Sequence, residues 1–273
     1  MLRYEDRVVL VTGGGSGIGR ATACRLAAEG ATVVVNDVTQ ERAEATLADL
    51  DREGHAIGAD VSDRAAVDAM YAEIVERYGR IDGVANVAGI PWGEPGEAER
   101  FGATVETMVA DMAMGKPPSA RWDFFVNISD ESFARMLAVH LFGAFYSTRA
   151  AARLMMEQGS GAIVNFASGA AVMGFPGSGH YAAAKSGVLG LTRAAAVELG
   201  AWGVRVNAIA PGAVDTPMLA LLPPAFVAMG MQQAPLGRIA DPAELAGVVA
   251  FLLSDDASYM TGQTVEPNGG MHM

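Results

Sequence analysis

Short runs of apolar, mostly β-branched residues alternate along the chain with longer segments that carry apolar positions at helical spacing. The apolar runs predict buried strands at 7–12, 31–37, 81–89, 161–168, 203–212 and 262–270, with a third strand ending near Asp60. Helices are predicted at 17–30, 41–50, 63–78, around Tyr181 and at 241–254. Uninterrupted apolar strands that alternate with helices are typical of a parallel sheet covered on both faces. The pattern therefore predicts an α/β protein with a doubly wound parallel sheet (Rossmann fold) flanked by helices on both faces.

No internal repeat or linker divides the sequence, so we expect one domain over 1–273. The main irregularity is a segment at about 90–128, which fits neither a plain loop nor a single helix. A short helix is predicted within it, at 104–114. An irregular segment of this length in a compact domain is usually functional or mobile.

Composition narrows the classes of partner. Of the 273 residues, 51% are hydrophobic and 18% charged, with a formal net charge of −12. An acidic chain without a Lys/Arg cluster argues against nucleic acid and against anionic membrane surfaces. The single cysteine, Cys24, and the lack of an apolar signal or membrane-spanning run favour a cytoplasmic location. No His, Cys, Asp or Glu cluster has metal-ligand spacing, so no metal is expected.

A glycine-rich turn, VTGGGSGIGR, follows the first strand and opens the first helix. Gly13, Gly17 and Gly19 permit a tight turn and a close approach of backbone to a pyrophosphate. The helix N-terminus adds N–H donors and the positive end of its dipole. Glycine clusters often only make turns, but the strand–turn–helix context predicts a dinucleotide site.

Asp37 ends the second strand and indicates which dinucleotide binds. A carboxylate there can accept both hydroxyls of the adenosine ribose and would repel a 2′-phosphate. No Arg or Lys lies in the glycine turn before Arg20, and Asn36 and Val38 flank Asp37, so nothing nearby is expected to compensate. The sequence therefore predicts NAD(H); the alternative is that Asp37 only caps the following helix. Asp60 is expected within reach of the adenine edge.

Four features, taken in order, resemble the single-domain branch of the short-chain dehydrogenase/reductase family. They are Thr-Gly-x-x-x-Gly-x-Gly at 12–19, Ser168, Tyr181-x-x-x-Lys185, and NAIAPG ending at Gly212. The resemblance covers nearly the whole chain except about 90–128. It implies that Tyr181 donates or accepts the proton, that Lys185 binds the nicotinamide ribose, and that Ser168 orients the substrate oxygen. It implies a cofactor site that comprises Gly13, Ser16, Gly17, Ile18, Gly19, Asp37, Asp60, Val61, Asn86, Ala88, Gly89, Tyr181, Lys185, Pro211, Gly212, Val214 and Thr216.

The spacing of Tyr181 and Lys185 has a physical reason. A separation of four places both side chains on one helical face. An ammonium some 5 Å away, at an effective dielectric near 20, favours phenolate by roughly 3 kcal/mol, or about two pKa units. We therefore expect Lys185 to bring the Tyr181 hydroxyl closer to working pH, with alanines between the two giving room for the cofactor.

His140 departs from the family pattern, which commonly has an asparagine there that holds a water in the proton relay. A histidine can hydrogen-bond that water or relay protons itself. It can equally be a packing residue, so both readings stay open, and we include His140 among the candidate catalytic residues. His180, beside Tyr181, is expected to point elsewhere and to take no part in catalysis.

Two segments are expected to form the substrate pocket: the inserted one at about 90–128 and a lid at about 213–238, which is variable in the family. Both are rich in large apolar residues, which favours a hydrophobic secondary alcohol or ketone; alternatively these residues bury against each other or against another subunit. One competing interpretation is a 3-oxoacyl-thioester reductase, which predicts NADPH and a basic patch. Another is a non-catalytic NAD-binding redox sensor. The resemblance also implies a homotetramer or a dimer.

Overall fold

A computed structural model describes residues 2–273, and within them seven strands form one parallel sheet. The spatial order of the strands is β3-β2-β1-β4-β5-β6-β7. The strands are β1 (Val8–Thr12), β2 (Thr32–Asp37), β3 (Gly54–Gly58), β4 (Gly83–Asn86), β5 (Gly161–Phe166), β6 (Val204–Ile209) and β7 (Thr264–Val265). This order confirms the predicted doubly wound α/β sheet.

The connections between strands carry the helices. They are α1 (Gly17–Ala28), α2 (Gln40–Leu47), α3 (Arg64–Tyr78), α4 (Glu97–Ala113), α5 (Phe124–Asn127), α6 (Asp130–Leu137), α7 (Gly143–Gln158), α8 (Gly179–Leu199), α9 (Pro224–Gln233) and α10 (Pro242–Leu253). Helices α1 and α10 pack together on one side of the sheet, and α3 and α7 on the other. Two apolar cores result, one on each face.

The apolar strands explain why both faces are covered. All five residues of β1 are buried, and Leu10 and Val11, which point to opposite faces, belong to different cores. Strand β1 pairs with β2 on one side and β4 on the other. The chain therefore reverses its winding direction between β1 and β4, and in such sheets ligands bind in the crevice at the carboxyl ends of these strands.

Beyond shifts of a few residues at element ends, three elements differ from the expectations. Helix α4 begins at Glu97, earlier than the predicted 104–114, because Gly96 turns the chain with φ of 89° and the helix tolerates Gly102. The segment at 213–238 contains a helix, α9, that the sequence pattern did not indicate. The last strand is only Thr264–Val265, since Pro267 lacks an amide proton and Gly269 and Gly270 adopt positive φ.

Candidate active site

Gly13 and Gly19, in the turn after β1, have no room for a side chain. Gly13 has φ of +65°, and a Cβ there would lie 2.6 Å from the Ala88 Cα. Gly17 has φ of +50°, and a Cβ at Gly19 would collide with the Gly13 carbonyl. Helix α1 begins at Gly17 without an acidic residue in its first turn. The turn thus presents backbone N–H groups and an uncompensated helix dipole, which fit a pyrophosphate.

Asp37 lies at the end of β2 and is 6% exposed. Its carboxylate accepts hydrogen bonds from the amides of Gly15 and Val38, each at 2.9 Å. The expectation that nothing nearby compensates its charge is wrong, because Arg42 Nε lies 2.9 Å from Asp37 Oδ1. Helix α2 starts directly after the strand, and its first turn brings Arg42 back over the strand end. Arg42 also donates to the Ser16 hydroxyl at 3.4 Å, so a guanidinium borders this part of the crevice.

One cavity of about 590 Å³ joins the glycine turn to the tyrosine and lysine. The predicted site residues that line it are Gly13, Ser16, Gly17, Ile18, Gly19, Asp37, Asp60, Val61, Ala88, Gly89, His140, Ser168, Tyr181, Lys185, Pro211, Gly212, Val214 and Thr216. Asn86 does not line it: its amide donates to Thr148 Oγ1 and to Asn165 Oδ1, tying β4 to α7 and β5. One cavity therefore joins Asp37, at the predicted adenosine end of a dinucleotide site, to Tyr181, at the predicted nicotinamide end.

Ser168 follows β5 at the carboxyl edge of the sheet, where its extended backbone leads into a short turn at Gly169–Ala171. Its hydroxyl accepts from the Ala170 amide at 3.2 Å and also hydrogen-bonds the Tyr181 hydroxyl. The serine is therefore a turn residue and, at the same time, a polar neighbour of the phenol.

Lys185 is buried, and its ammonium lies 5.7 Å from the centre of the Tyr181 ring. Its Nζ donates to the Phe166 carbonyl at 2.6 Å. Burial lowers the pKa of Lys185 to about 7. Near neutral pH the amine is therefore only partly charged in the protein alone.

Tyr181 differs from expectation in its acidity. Burial raises the pKa of Tyr181 above its ordinary value, and the hydrogen bond with Ser168 opposes this only in part. The predicted lowering by Lys185 is not produced by the protein groups alone, because the same burial that penalises the phenolate also discharges the lysine. An additional positive charge in the cavity would favour the phenolate, and an oxidised nicotinamide bound there would supply one.

His140 lies in a π-helical turn, Ala138–Phe142, between α6 and α7. Its Nε2 is 2.9 Å from the Ile90 carbonyl oxygen and 3.2 Å from the Ile90 amide nitrogen. Its Nδ1 is buried without a partner among residues 2–273. Burial, and then the charge of Lys185, hold the pKa of His140 well below its usual value, so the ring is neutral. The structure brings His140 beside Tyr181.

His180 is a cavity residue that the sequence did not indicate. The expectation that it points elsewhere is wrong: it lines the same cavity and is 2% exposed. Its Nε2 faces Glu97 Oε2 at 3.6 Å. The partner comes from the inserted segment, so only the three-dimensional structure shows that the two meet.

Aromatic side chains form the wall of the cavity beyond the tyrosine. Phe101 on α4 lies 5.4 Å from Trp92 and 5.0 Å from Phe226 on α9, measured between ring centroids. Phe175, from the loop before α8, lines the same space. The two irregular segments thus meet over one end of the cavity and make it apolar.

Comparison with known proteins now gives the family. The model of the short chain dehydrogenase family matches residues 7–225. A levodione reductase from Leifsonia aquatica is 42% identical, covering 98% of this chain and 95% of its own. The crystal structure of levodione reductase superposes with a TM-score of 0.85 at 41% identity, covering 98% of both chains. A 3-oxoacyl-acyl-carrier-protein reductase FabG from Thermotoga maritima is 34% identical over 99% of each chain.

The chain belongs to the short chain dehydrogenase family, as its motifs indicated. It is an oxidoreductase that acts on CH–OH groups with a nicotinamide cofactor, interconverting a secondary alcohol and a ketone. Within residues 2–273 no helix is both long and apolar enough to cross a bilayer. No group of three or more His, Cys, Asp or Glu side chains in the same range is placed to hold a metal ion.

Proposed function

We propose that the protein is an NAD(H)-dependent dehydrogenase/reductase that interconverts a hydrophobic secondary alcohol and its ketone. The observation that carries the proposal is a single cavity bordered at one end by the Asp37 carboxylate and at the other by Ser168, Tyr181 and Lys185. Chain 1–273 acts as one domain, in which the segments at about 90–128 and 213–238 serve as an insert and a substrate lid.

Each residue has a role that follows from its place. Asp37 accepts the hydroxyls of the adenosine ribose, Lys185 binds the nicotinamide ribose, and Ser168 holds the substrate oxygen beside Tyr181. When bound, the cofactor supplies the hydride acceptor and, in its oxidised form, a positive charge. Tyr181 removes the hydroxyl proton during oxidation and returns a proton during reduction.

His140 acts as a positioning residue in this scheme. Its ring is neutral, so it does not pass on a proton as an imidazolium. Its ring packs against the Tyr181 phenol at a right angle, and its buried, unpartnered Nδ1 can hold a water of the proton path. This assigns to a histidine the part for which relatives commonly use asparagine.

The preference for NAD over NADP rests on the same carboxylate. Asp37 would face a 2′-phosphate at close range, although Arg42 reduces the repulsion. Because cells usually hold NAD⁺ in excess over NADH, the oxidative direction is favoured. NAD use also separates this proposal from the 3-oxoacyl-thioester reductase, which the similarity to FabG keeps as the second candidate.

The substrate is a bulky apolar molecule. Trp92, Phe101, Phe175 and Phe226 offer it ring faces, and Met218 and Leu222 complete the wall. The relative named levodione reductase supports a small ketone, whereas the mouse relative named (3R)-3-hydroxyacyl-CoA dehydrogenase, 37% identical over 100% of this chain, supports an acyl chain. The aromatic wall favours a compact ring-containing substrate.

Assembly and location belong to the same proposal. Phe142 and Phe145, in and after the π-helical turn, are 46% and 39% exposed, and a partner helix in a homotetramer or dimer would cover them. The one thiol, Cys24, is free, which accords with the reducing cytoplasm.

A substrate screen tests the function directly. Purified protein is mixed with cyclic, aryl, long-chain and small polar secondary alcohols, with NAD⁺ and NADP⁺ in parallel, and absorbance of the reduced cofactor is followed. We expect NAD⁺-dependent turnover of the bulky apolar alcohols. Preference for small polar alcohols would contradict the substrate class, and NADPH-dependent reduction of 3-oxoacyl thioesters alone would favour the second candidate.

A further inference from the structure

Glu97 is a buried carboxylate at the start of α4, in the inserted segment. It is 6% exposed. One oxygen, Oε1, accepts from the Ser132 hydroxyl at 2.6 Å. The other, Oε2, accepts from the Gly93 amide at 2.8 Å and the Glu94 amide at 3.5 Å. A carboxylate taken out of water needs such partners, and here donors meet it from several sides.

Glu97 joins the inserted segment to two elements that lead to active-site residues: α6, which precedes His140, and α8, which carries Tyr181. Ser132 lies in α6, which continues into the π-helical turn of His140. Gly93 packs against the same serine so closely that a Cβ there would collide with the Ser132 hydroxyl. The insert is therefore fixed to the element that carries His140 by side-chain and backbone contacts together.

The connection from Glu97 to α8 runs through His180, the residue before Tyr181. The Tyr181 amide donates to His180 Nδ1 at 2.9 Å, so the neutral imidazole carries its proton on Nε2. That buried Nε2 makes no hydrogen bond in the part of the chain that the structure describes, and the nearest carboxylate oxygen, Glu97 Oε2, faces it at 3.6 Å. The Tyr181 amide therefore sets the tautomer of His180, and this tautomer turns an N–H toward the carboxylate of Glu97. His180 thus lies between Glu97 and the backbone of the tyrosine in the first turn of α8.

We propose that Glu97 is a positioning residue for the reaction, which holds the first turn of α8 through His180 and so fixes the Tyr181 hydroxyl relative to the substrate. The inference rests on the proposed function of Tyr181. It means that the inserted segment does more than enclose the pocket: its first helical residue joins the substrate wall to the proton-transfer group. Phe101, which lines the substrate cavity, lies on the same helix as Glu97. A substrate packed against the Phe101 ring therefore contacts the helix that positions Tyr181.

Paired substitutions at Glu97 separate positioning from folding. Glu97→Met keeps the length of the side chain but removes every acceptor. A misplacement of a reacting group by about 1 Å can cost 100-fold in rate, so we expect kcat to fall about 10- to 100-fold, with the Kd for NADH unchanged. Glu97→Gln keeps an oxygen for Gly93 and His180 and can donate to the Ser132 hydroxyl, so we expect kcat within about threefold of wild type.

Glu106→Met is the matched control, because Glu106 is an exposed carboxylate on the same helix. Amide hydrogen exchange of the peptide that spans 178–186 gives a readout independent of turnover. We expect faster exchange there in Glu97→Met and wild-type exchange in Glu106→Met. If no alcohol is turned over by the wild-type protein, the proposed function fails, while the exchange result still decides whether Glu97 holds α8.

His180→Phe tests the connection from the other side and carries the test if Glu97→Met does not fold. We expect the same loss of kcat with NADH binding retained, and no further loss when the two changes are combined. Wild-type kcat and exchange in either Glu97→Met or His180→Phe would overturn the proposal. Additive losses in the double variant would overturn it as well, since they would show two independent effects.

Discussion

The imidazole of His140 meets the phenol ring of Tyr181 edge-on, with ring centroids 5.1 Å apart and ring planes at 89°. The histidine is held in turn by the backbone of Ile90, which leaves β4 at the edge of the cavity. A Cβ on Gly89 would lie 2.5 Å from His140 Cε1, so the glycine leaves room for the ring. The tyrosine is thus supported on one side by the start of the inserted segment.

Substitutions at His140 distinguish a role in holding a water of the proton path from a role in packing against Tyr181 alone. His140→Asn restores a side chain that can hydrogen-bond a water, and we expect kcat within about fivefold of wild type. His140→Phe keeps a ring against Tyr181 but removes both nitrogens, so no water of the proton path can be held there, and we expect kcat to fall about 100-fold, the low end of what proton transfer through side chains and water chains contributes. Steady-state kinetics with a saturating alcohol and NAD⁺ give both values.

The pH profile provides the control for His140. Because burial holds the pKa of His140 far below its usual value, the ring should stay neutral across the working range. We expect no limb of the kcat profile between pH 6 and 9 to disappear in His140→Asn. Equal activity of His140→Phe and wild type would show that the histidine only packs.

Removal of the phenolic hydroxyl tests whether Tyr181 is the proton-transfer group. Tyr181→Phe keeps the ring against His140 but has no group to exchange a proton with the substrate. We expect kcat to fall by about three orders of magnitude, within the range of general acid–base catalysis, while NADH binds with unchanged Kd by fluorescence titration. Retained turnover would place the proton-transfer group elsewhere.

Asp37 and Arg42 form the basis of a prediction on cofactor choice. Asp37→Asn keeps an oxygen for the Gly15 amide but removes the charge that opposes a 2′-phosphate, and it frees Arg42. Because hydrogen bonds to charged groups contribute about 1.5–3 kcal/mol, we expect kcat/KM with NAD⁺ to fall about tenfold and that with NADP⁺ to rise about tenfold or more. Both constants come from initial rates with one alcohol.

The double variant Asp37→Asn/Arg42→Gln is the control for that experiment. If the guanidinium receives the 2′-phosphate, the gain with NADP⁺ should disappear in the double variant. A gain of equal size in both variants would mean that relief of repulsion alone is responsible and that Arg42 takes no part.

Asp37 and Arg42 also show which parts of the site could be predicted from the sequence. Asp37 was predictable because a strand end about twenty residues beyond a glycine turn has a fixed place in this fold. Arg42 was not, since its contact depends on how tightly α2 turns back after β2. The same holds for Glu97 and His180, which are distant in the sequence and meet only because the start of α4 reaches the first turn of α8. Local pattern fixes which elements form, but contacts between an insert and the core depend on tertiary packing.

Lys185 leads to a prediction on stability. Its pKa of about 7 in the folded protein lies well below the value of about 10.4 for an unfolded chain. Between these values the unfolded chain holds a proton that the folded protein lacks, so stability rises with pH, by about 2 kcal/mol from pH 7 to pH 9. Lys185→Met removes this contribution. Urea unfolding of the cofactor-free protein at pH 7, 8 and 9, at fixed protein concentration, measures the difference between the two proteins.

We expect the free energy of unfolding of Lys185→Met to fall further below that of wild type as the pH rises. The absolute offset is less informative, because methionine also leaves the Phe166 carbonyl without its donor. Lys116, the only other lysine, is exposed on the inserted segment. The free energy of unfolding of Lys116→Met should therefore change with pH as that of wild type does. Parallel curves for Lys185→Met would mean that its ammonium stays charged when buried. A permanently charged ammonium, 5.7 Å from the centre of the Tyr181 ring, would then favour the phenolate without the cofactor's charge.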